Sequence, residues 1–363
     1  MGIHLERALT SEPPDIENSA RMADRRWGVL TVLFFVYLTS SVDRLIVSIA
    51  GEPIKNEFGL TDWQLGVLNG LAFSLLYAGL GLPLARLADR GNRVTIITVC
   101  LAIWSGMTAL CGLALNFTQL VLCRLGVGVG EAGCLPASHS LISDYFPRSQ
   151  RTTALAIFGI GLPLGGMIAM GAGGMIIDWF GWRRAFVLLG LPGLLLVLVT
   201  RLLIQEPPGS GDETRGHAVG SAHGGAYEDT LLHTLLFLAR SAAARNILIG
   251  MTLATFFSSP ASSFIAPYMA RSFGLSYLHI GLILGIALMG GIALSTFLGG
   301  IIADWLGRWD ERWYLWVPAA SLLLGSPLFA LAFAQTVWQA FIGLLVLAAL
   351  GSVLNKVACM SHR

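Results

Sequence analysis

Ten apolar runs follow one another along this chain, each long enough to cross a lipid bilayer as a helix. In hydrocarbon a backbone must satisfy its own hydrogen bonds, so serial runs of about 20 apolar residues specify a bundle of membrane-spanning helices. The runs lie at about residues 27–50, 63–86, 94–115, 117–140, 152–177, 184–204, 246–270, 277–303, 313–334 and 336–358. Charged residues are only 12% of the 363, about half the share of an ordinary soluble chain. A net charge of +2 gives nucleic acid no footing. The expected fold class is an all-α integral membrane protein.

The polar interruptions divide the chain. Residues 1–26 read as a polar tail, 27–204 as a lobe of six helices, 205–243 as a linker rich in Gly, Ser and His, and 244–363 as a second lobe with about four helices. The three linker histidines, His217, His223 and His233, lack metal-site spacing. The first apolar run is too long for the core of a cleavable signal. Fifteen arginines flank one side of the membrane, against Lys55, Arg183, Arg184 and Arg271 on the other. The positive-inside rule then puts the amino terminus and the linker in the cytoplasm, with the chain multi-pass in the cell inner membrane. Trp182, beside Arg183 and Arg184, is expected at the outer lipid interface. The final residues, VLNKVACMSHR, do not resume an apolar pattern, so the second lobe is expected to be incomplete.

The charges that interrupt the apolar runs carry the functional reading. Arg124 and Glu131 lie in RLGVGVGEAGCLP, two helical turns apart and therefore on one face. Asp43 and Arg44 interrupt the first run. Asp43 and Arg124 are each about seven residues from the same side of the membrane, so their depths agree and a contact between them is expected. Glu131 then lies about 10 Å deeper, near the midplane and less satisfied. Ionisable groups at such depth face a bundle interior and mark a substrate or proton path. Asp43, Arg44, Arg124 and Glu131 are the candidate substrate and proton site.

An internal repeat organises the chain further. ARLADRGNR at 85–93 and GIIADWLGR at 300–308 both place Ala-Asp at the cytoplasmic end of an apolar helix, with Arg four residues after the Asp. The second copy matches G-x-x-x-D-x-x-G-R in full and resembles the cytoplasmic loop motif of the major facilitator superfamily. The first copy has Ala85 and Asn92 in place of its glycines. The strings SSVDRLIVSIAGEPIKNEFGLTDWQLGVLNG, RLGVGVGEAGCLPASHSLISDYFPRSQRTTALAIFGIGLPLGG and GWRRAFVLLGLPGLL resemble the Spinster-type branch, associated with lysolipids and sphingosine phosphate. The resemblance implies two six-helix lobes, here with about ten helices in all, moving a solute by alternating access. It also implies that Asp89, Arg90 and Arg93, with Asp304 and Arg308 in the second lobe, latch one conformation. Gly161, Pro163, Gly165 and Gly166 loosely resemble the glycine-proline motif of antiporters and equally suit close helix packing.

The reading is a proton-coupled carrier of an amphipathic or anionic solute, a lysolipid-like one included. Arg124 holds an anionic group and Glu131 or Asp43 takes the proton. The partners are then a small molecule, protons and the bilayer, with the protein acting as a monomer. Two alternatives stay open: a proton-coupled drug or organic-anion exporter, and a truncated carrier fold that does not transport. No enzyme is indicated, since no catalytic dyad, HExxH or other metal set stands out. Gly128–Gly133 satisfies GxGxxG but lies inside an apolar helix, which excludes a dinucleotide fold and leaves no cofactor expected. The five cysteines form no CxxC pair and read as small hydrophobes.

Overall fold

The computed structural model describes residues 16–207 and 264–291, with short pieces at 240–241, 245–246, 249–250, 252, 336 and 339. Among these residues, six helices are long and apolar enough to cross a membrane: Arg25–Phe58, Asp62–Ala88, Arg93–Cys111, Phe117–Tyr145, Gln150–Phe180 and Trp182–Leu203. They are called the first to sixth spans below. Each coincides with one of the apolar runs expected from sequence. Residues 264–273 form a further helix and Tyr277–Leu284 another, extended by a π-helical segment, Gly285–Gly290. The expected span at 313–334, that at 336–358 apart from residues 336 and 339, and much of those at 246–270 and 277–303 fall outside the described residues.

Local chemistry sets the boundaries. Thr61 and Gln64 form a reciprocal capping box at the start of the second span. Asn116 accepts from Gln119 N at the start of the fourth. Asn92, which departs from the loop-motif glycine, caps the third span by accepting from Thr95 N at 2.7 Å; the substitution supplies a side-chain acceptor where a helix has unpaired N–H groups. Gly181 turns the chain between the fifth and sixth spans at φ +81°, a conformation costly for a residue with a Cβ.

The first span packs chiefly against the fifth, the third against the fourth and sixth, and the Tyr277 helix against the fifth. Two apolar cores result. One, around Leu33, Ile97, Trp104, Leu141 and Phe158, fills the end where Arg93 lies. The other, around Ile49, Leu68, Phe186, Ile280 and Leu284, fills the end near Glu52. The polar stretch Thr39–Arg44 of the first span lies between them, and the fourth span meets it with Arg124 and Glu131. The site is therefore a polar layer between two apolar plugs.

The glycine-rich fifth span runs unbroken from Arg148 to Phe180 with Pro163 inside it. Gly161 and Gly165 face the first span, where a Cβ would lie 3.1 Å from Phe34 O and 2.4 Å from Leu38 O respectively. Beside Pro163, Ser41 Oγ donates to Leu162 O at 2.7 Å. Gly166 is buried on the same helix.

Trp182 corrects an expectation. It is 4% exposed and its indole donates to Glu57 at 2.5 Å, while Arg183 reaches the same carboxylate at 2.7 Å. It joins the first span to the sixth instead of resting at a lipid interface. The Glu57 carboxylate, five residues beyond Glu52, supplies a partner that a tryptophan in lipid would lack.

Candidate functional site

The charged layer is built differently from the depth argument. Arg44 Nη2 pairs with Glu131 Oε2 at 2.6 Å, so Glu131 is the paired carboxylate. Arg124 reaches Asp43 only through the main chain, with Nη1 donating to Asp43 O at 3.3 Å. Both Asp43 carboxylate oxygens are buried without a hydrogen-bond partner among the described residues. The expected contact thus links the right helices through the wrong atom. Equal depth fixes height along the helices, but the azimuth of each side chain decides the pairing. Adjacent residues on a helix point about 100° apart, which turns Arg44 toward Glu131.

The environment distinguishes the two arginines. Arg124 is 1% exposed and lies 5.5 Å over the Phe73 ring. The Arg44 side chain is 35% exposed, against 1% for Glu131. Its guanidinium stands 5.0 Å from the Phe73 centroid and 5.2 Å from that of Tyr77, within cation–π range. Arg44 and Glu131 form one wall of a narrow cleft with a cavity volume of about 30 Å³. Tyr37, Tyr77 and Phe158 supply its aromatic surface, and Ser40 and Ser138 its hydroxyls. Arg124 and Asp43 do not line it. The cleft thus presents one guanidinium and three aromatic rings.

The aromatic residues were not singled out from sequence, where Tyr37, Phe73, Tyr77 and Phe158 look like core. A signal was present: Tyr37 is two turns before Arg44, and Phe73 and Tyr77 are one turn apart, so each set shares a face. Phe73 follows a π-helical turn, Val67–Leu71, a distortion frequent near functional sites.

The remaining sequence candidates lie elsewhere. Asp89 and Arg90 end the helix Ala72–Arg90. Arg93 opens the third span and pairs with Asp144 at the end of the fourth, a partner the sequence reading did not name. Asp304 and Arg308 lie outside the described residues. Cys100, Cys111 and Cys134 are buried free thiols, and no metal-binding cluster occurs among the described residues.

At the Glu52 end the bundle is closed against the later helices. Arg271 bonds to Glu52 and to Asp62, each at 2.7 Å, and Lys55 also reaches Asp62 at 2.7 Å. Glu52 and then Asp62 hold the Arg271 guanidinium charged more firmly than usual. Asp178, at the end of the fifth span, accepts from Tyr277 N at 3.0 Å and Leu278 N at 2.8 Å, capping the Tyr277 helix from another element. These ion pairs lie at a partly exposed rim, so replacing Glu52 by Gln together with Asp62 by Asn is expected to favour opening by about twofold to fivefold. Spin labels on the first span and the Tyr277 helix would read this as a larger long-distance population. An unchanged distance distribution would remove the ion pairs from the closure.

Comparisons with known proteins agree with this architecture. The family model described as Major Facilitator Superfamily matches residues 32–361. An MFS-type efflux pump of Mycolicibacterium smegmatis is 33% identical over 326 residues, covering 88% of this chain and 72% of that protein. A probable L-galactonate transporter of Escherichia coli is 26% identical over 302 residues, covering 81% of this chain and 65% of that protein. This chain therefore spans about two thirds to three quarters of these relatives' length. A solved bacterial homolog of the human lysosomal transporter Spinster, inward-facing and unoccupied, superposes with a TM-score of 0.77 at 31% identity. It covers 91% of this chain and 73% of that one. The polar layer, the aromatic cleft and the helix order accordingly belong to a transporter, and the chain is a member of the major facilitator superfamily.

Proposed function

We propose that the chain is a proton-coupled secondary carrier of an amphipathic or anionic organic solute, lysolipid-like solutes included. The observation that carries this reading is the Arg44–Glu131 pair in the wall of an aromatic cleft. Arg44 takes the anion-holding role, because it is the arginine the cleft reaches. A substrate anion competes with Glu131 for the guanidinium. Losing that cation favours the neutral acid over a buried carboxylate, so substrate arrival and proton uptake by Glu131 are linked. Asp43 is a second proton site, held behind the cleft with Arg124.

Arginine placement supports a cytoplasmic location for the Arg93 end, in the inner membrane with the amino terminus inside. The closed Glu52 end then corresponds to an inward-facing state, as in the Spinster-like structure. Asp89, Arg90 and Arg93, with Asp304 and Arg308, would latch the alternative state. The lobe boundaries remain 27–204 and 244–363, joined by 205–243. The efflux pump among the relatives supports export as a second reading, with a drug or an organic anion as the exported solute.

Reconstituted protein carrying Glu131→Gln or Asp43→Asn tests the coupling. Each variant is expected to lose at least about 90% of the uptake driven by a pH gradient, while Glu131→Gln retains exchange without one. Undiminished gradient-driven uptake in both would overturn the proposal. Absence of uptake by the unmodified chain, where a longer version transports, would instead favour a non-transporting carrier fold.

A further inference from the structure

The third span carries Trp104, Thr108 and Cys111 on one face, at the i, i+4, i+7 spacing of a helical stripe. All three are fully buried. A Cβ on Gly130 would lie 2.6 Å from Trp104 N, so this stripe is pressed against the fourth span beside Glu131. The third span touches the first, and Trp104 and Thr108 are its polar side chains near the Asp43 carboxylate. They stop short of hydrogen bonds: Trp104 Nε1, Thr108 Oγ1, Arg124 Nε and both Asp43 carboxylate oxygens are buried without partners among the described residues.

These orphans are complementary. A carboxylate has only acceptors, and the three facing groups are donors, two of them uncharged. Buried polar groups left unmatched are costly and call for an explanation. Arg124 spends Nη1 on the Asp43 main chain, and the third span holds two neutral donors, Trp104 Nε1 and Thr108 Oγ1, that have no other partner among the described residues.

We propose that Trp104 and Thr108 are positioning residues for Asp43: they close on its carboxylate when it is ionised and release it when it is protonated. The third span thereby reads the charge of the first. This rests on the proton-coupled reading above, in which Asp43 is a proton site. An ionised Asp43 accepts from both donors at once. A protonated Asp43 has one oxygen turned donor, so the paired grip is lost. The other titratable or charged groups around Asp43 are Arg44 beside it, Arg124 and Glu131 from the fourth span, and Cys111 from the third. The fifth span brings Gly165 and Ala169 to this stretch, neither of them charged.

The test needs no substrate. Infrared difference spectra of the purified full chain, titrated with acid, follow the band of the protonated buried carboxyl, and Asp43→Asn assigns that band by removing it. Thr108→Val and Trp104→Phe each remove a donor to the ionised form. Each is expected to move the band's midpoint to higher pH by about one unit, a tenfold change in proton affinity. Thr108→Ser keeps the hydroxyl and should leave the midpoint in place. Trp104→Phe serves if Thr108→Val does not yield a monodisperse protein. Unmoved midpoints in both donor variants, with the band still absent in Asp43→Asn, overturn this inference and leave proton coupling standing. If Asp43→Asn removes no component of the carboxyl region, with Glu131→Gln accounting for all of it, both this inference and the proton role of Asp43 are overturned.

Discussion

Replacing Arg44 by Ala is expected to weaken binding of an anionic solute by at least about 100-fold and to destabilise the fold, the two effects separating in a double variant. The anchor is lost because Arg44 is the guanidinium in the cleft wall. The stability loss has another origin. Glu131 is 1% exposed on its side chain, and removing one partner of a buried pair costs about 3–5 kcal/mol because a charge is left uncompensated. Adding Glu131→Gln removes the stranded charge, so Arg44→Ala with Glu131→Gln should regain most of the stability and none of the binding. If the double variant binds like the unmodified chain, the anchor lies elsewhere. Arg44→Lys should show an intermediate loss, since an ammonium keeps the charge but not the planar contact with Phe73 and Tyr77.

Helix positions were largely legible in the sequence because each rests on local chemistry. Apolar length sets the six described spans, and residues such as Thr61, Asn92 and Asn116 mark starts through their own side chains. The charged layer was legible as a set of residues but not as a set of pairs. Rise per residue is fixed by the helix, so the depths of Asp43, Arg124 and Glu131 could be compared in advance. Rotation about each helix axis depends on how neighbours pack, and it gave Glu131 to Arg44. Tyr37 and Tyr77 stayed hidden for a related reason: an aromatic residue in an apolar run has the same composition whether it faces lipid, core or cleft. Trp182 was misplaced because interfacial preference is a statistical tendency, whereas its hydrogen bond to Glu57 depends on a helix more than a hundred residues away in the chain.

Alanine at Gly281 or Gly174 is expected to force the Tyr277 helix away from the fifth span and open the Glu52 end. A Cβ at Gly281 would lie 1.9 Å from Met170 O, and one at Gly174 would lie 2.2 Å from Tyr277 O. Both obstacles are backbone atoms, so no rotamer change relieves them and one helix must shift by about 1 Å or more to restore ordinary contact. That shift would also strain the bonds from Tyr277 N and Leu278 N to Asp178. Gly159 is the control on the same helix, since nothing lies within 4 Å of its Cβ position. Spin-label distances across the Glu52 end should lengthen in Gly281→Ala and Gly174→Ala and stay unchanged in Gly159→Ala. Gradient-driven uptake should fall at least about tenfold in the first two. Distances like those of the unmodified chain in both would sink the idea that close packing holds this end shut. The comparison with the Arg271 pairs is then decisive in magnitude. Partly exposed ion pairs shift an equilibrium by about twofold to fivefold, whereas a backbone clash in a packed interface cannot be absorbed locally. Close contact between two glycine-bearing helices is therefore the stronger determinant of closure, and the ion pairs at its rim adjust a state that packing has already selected.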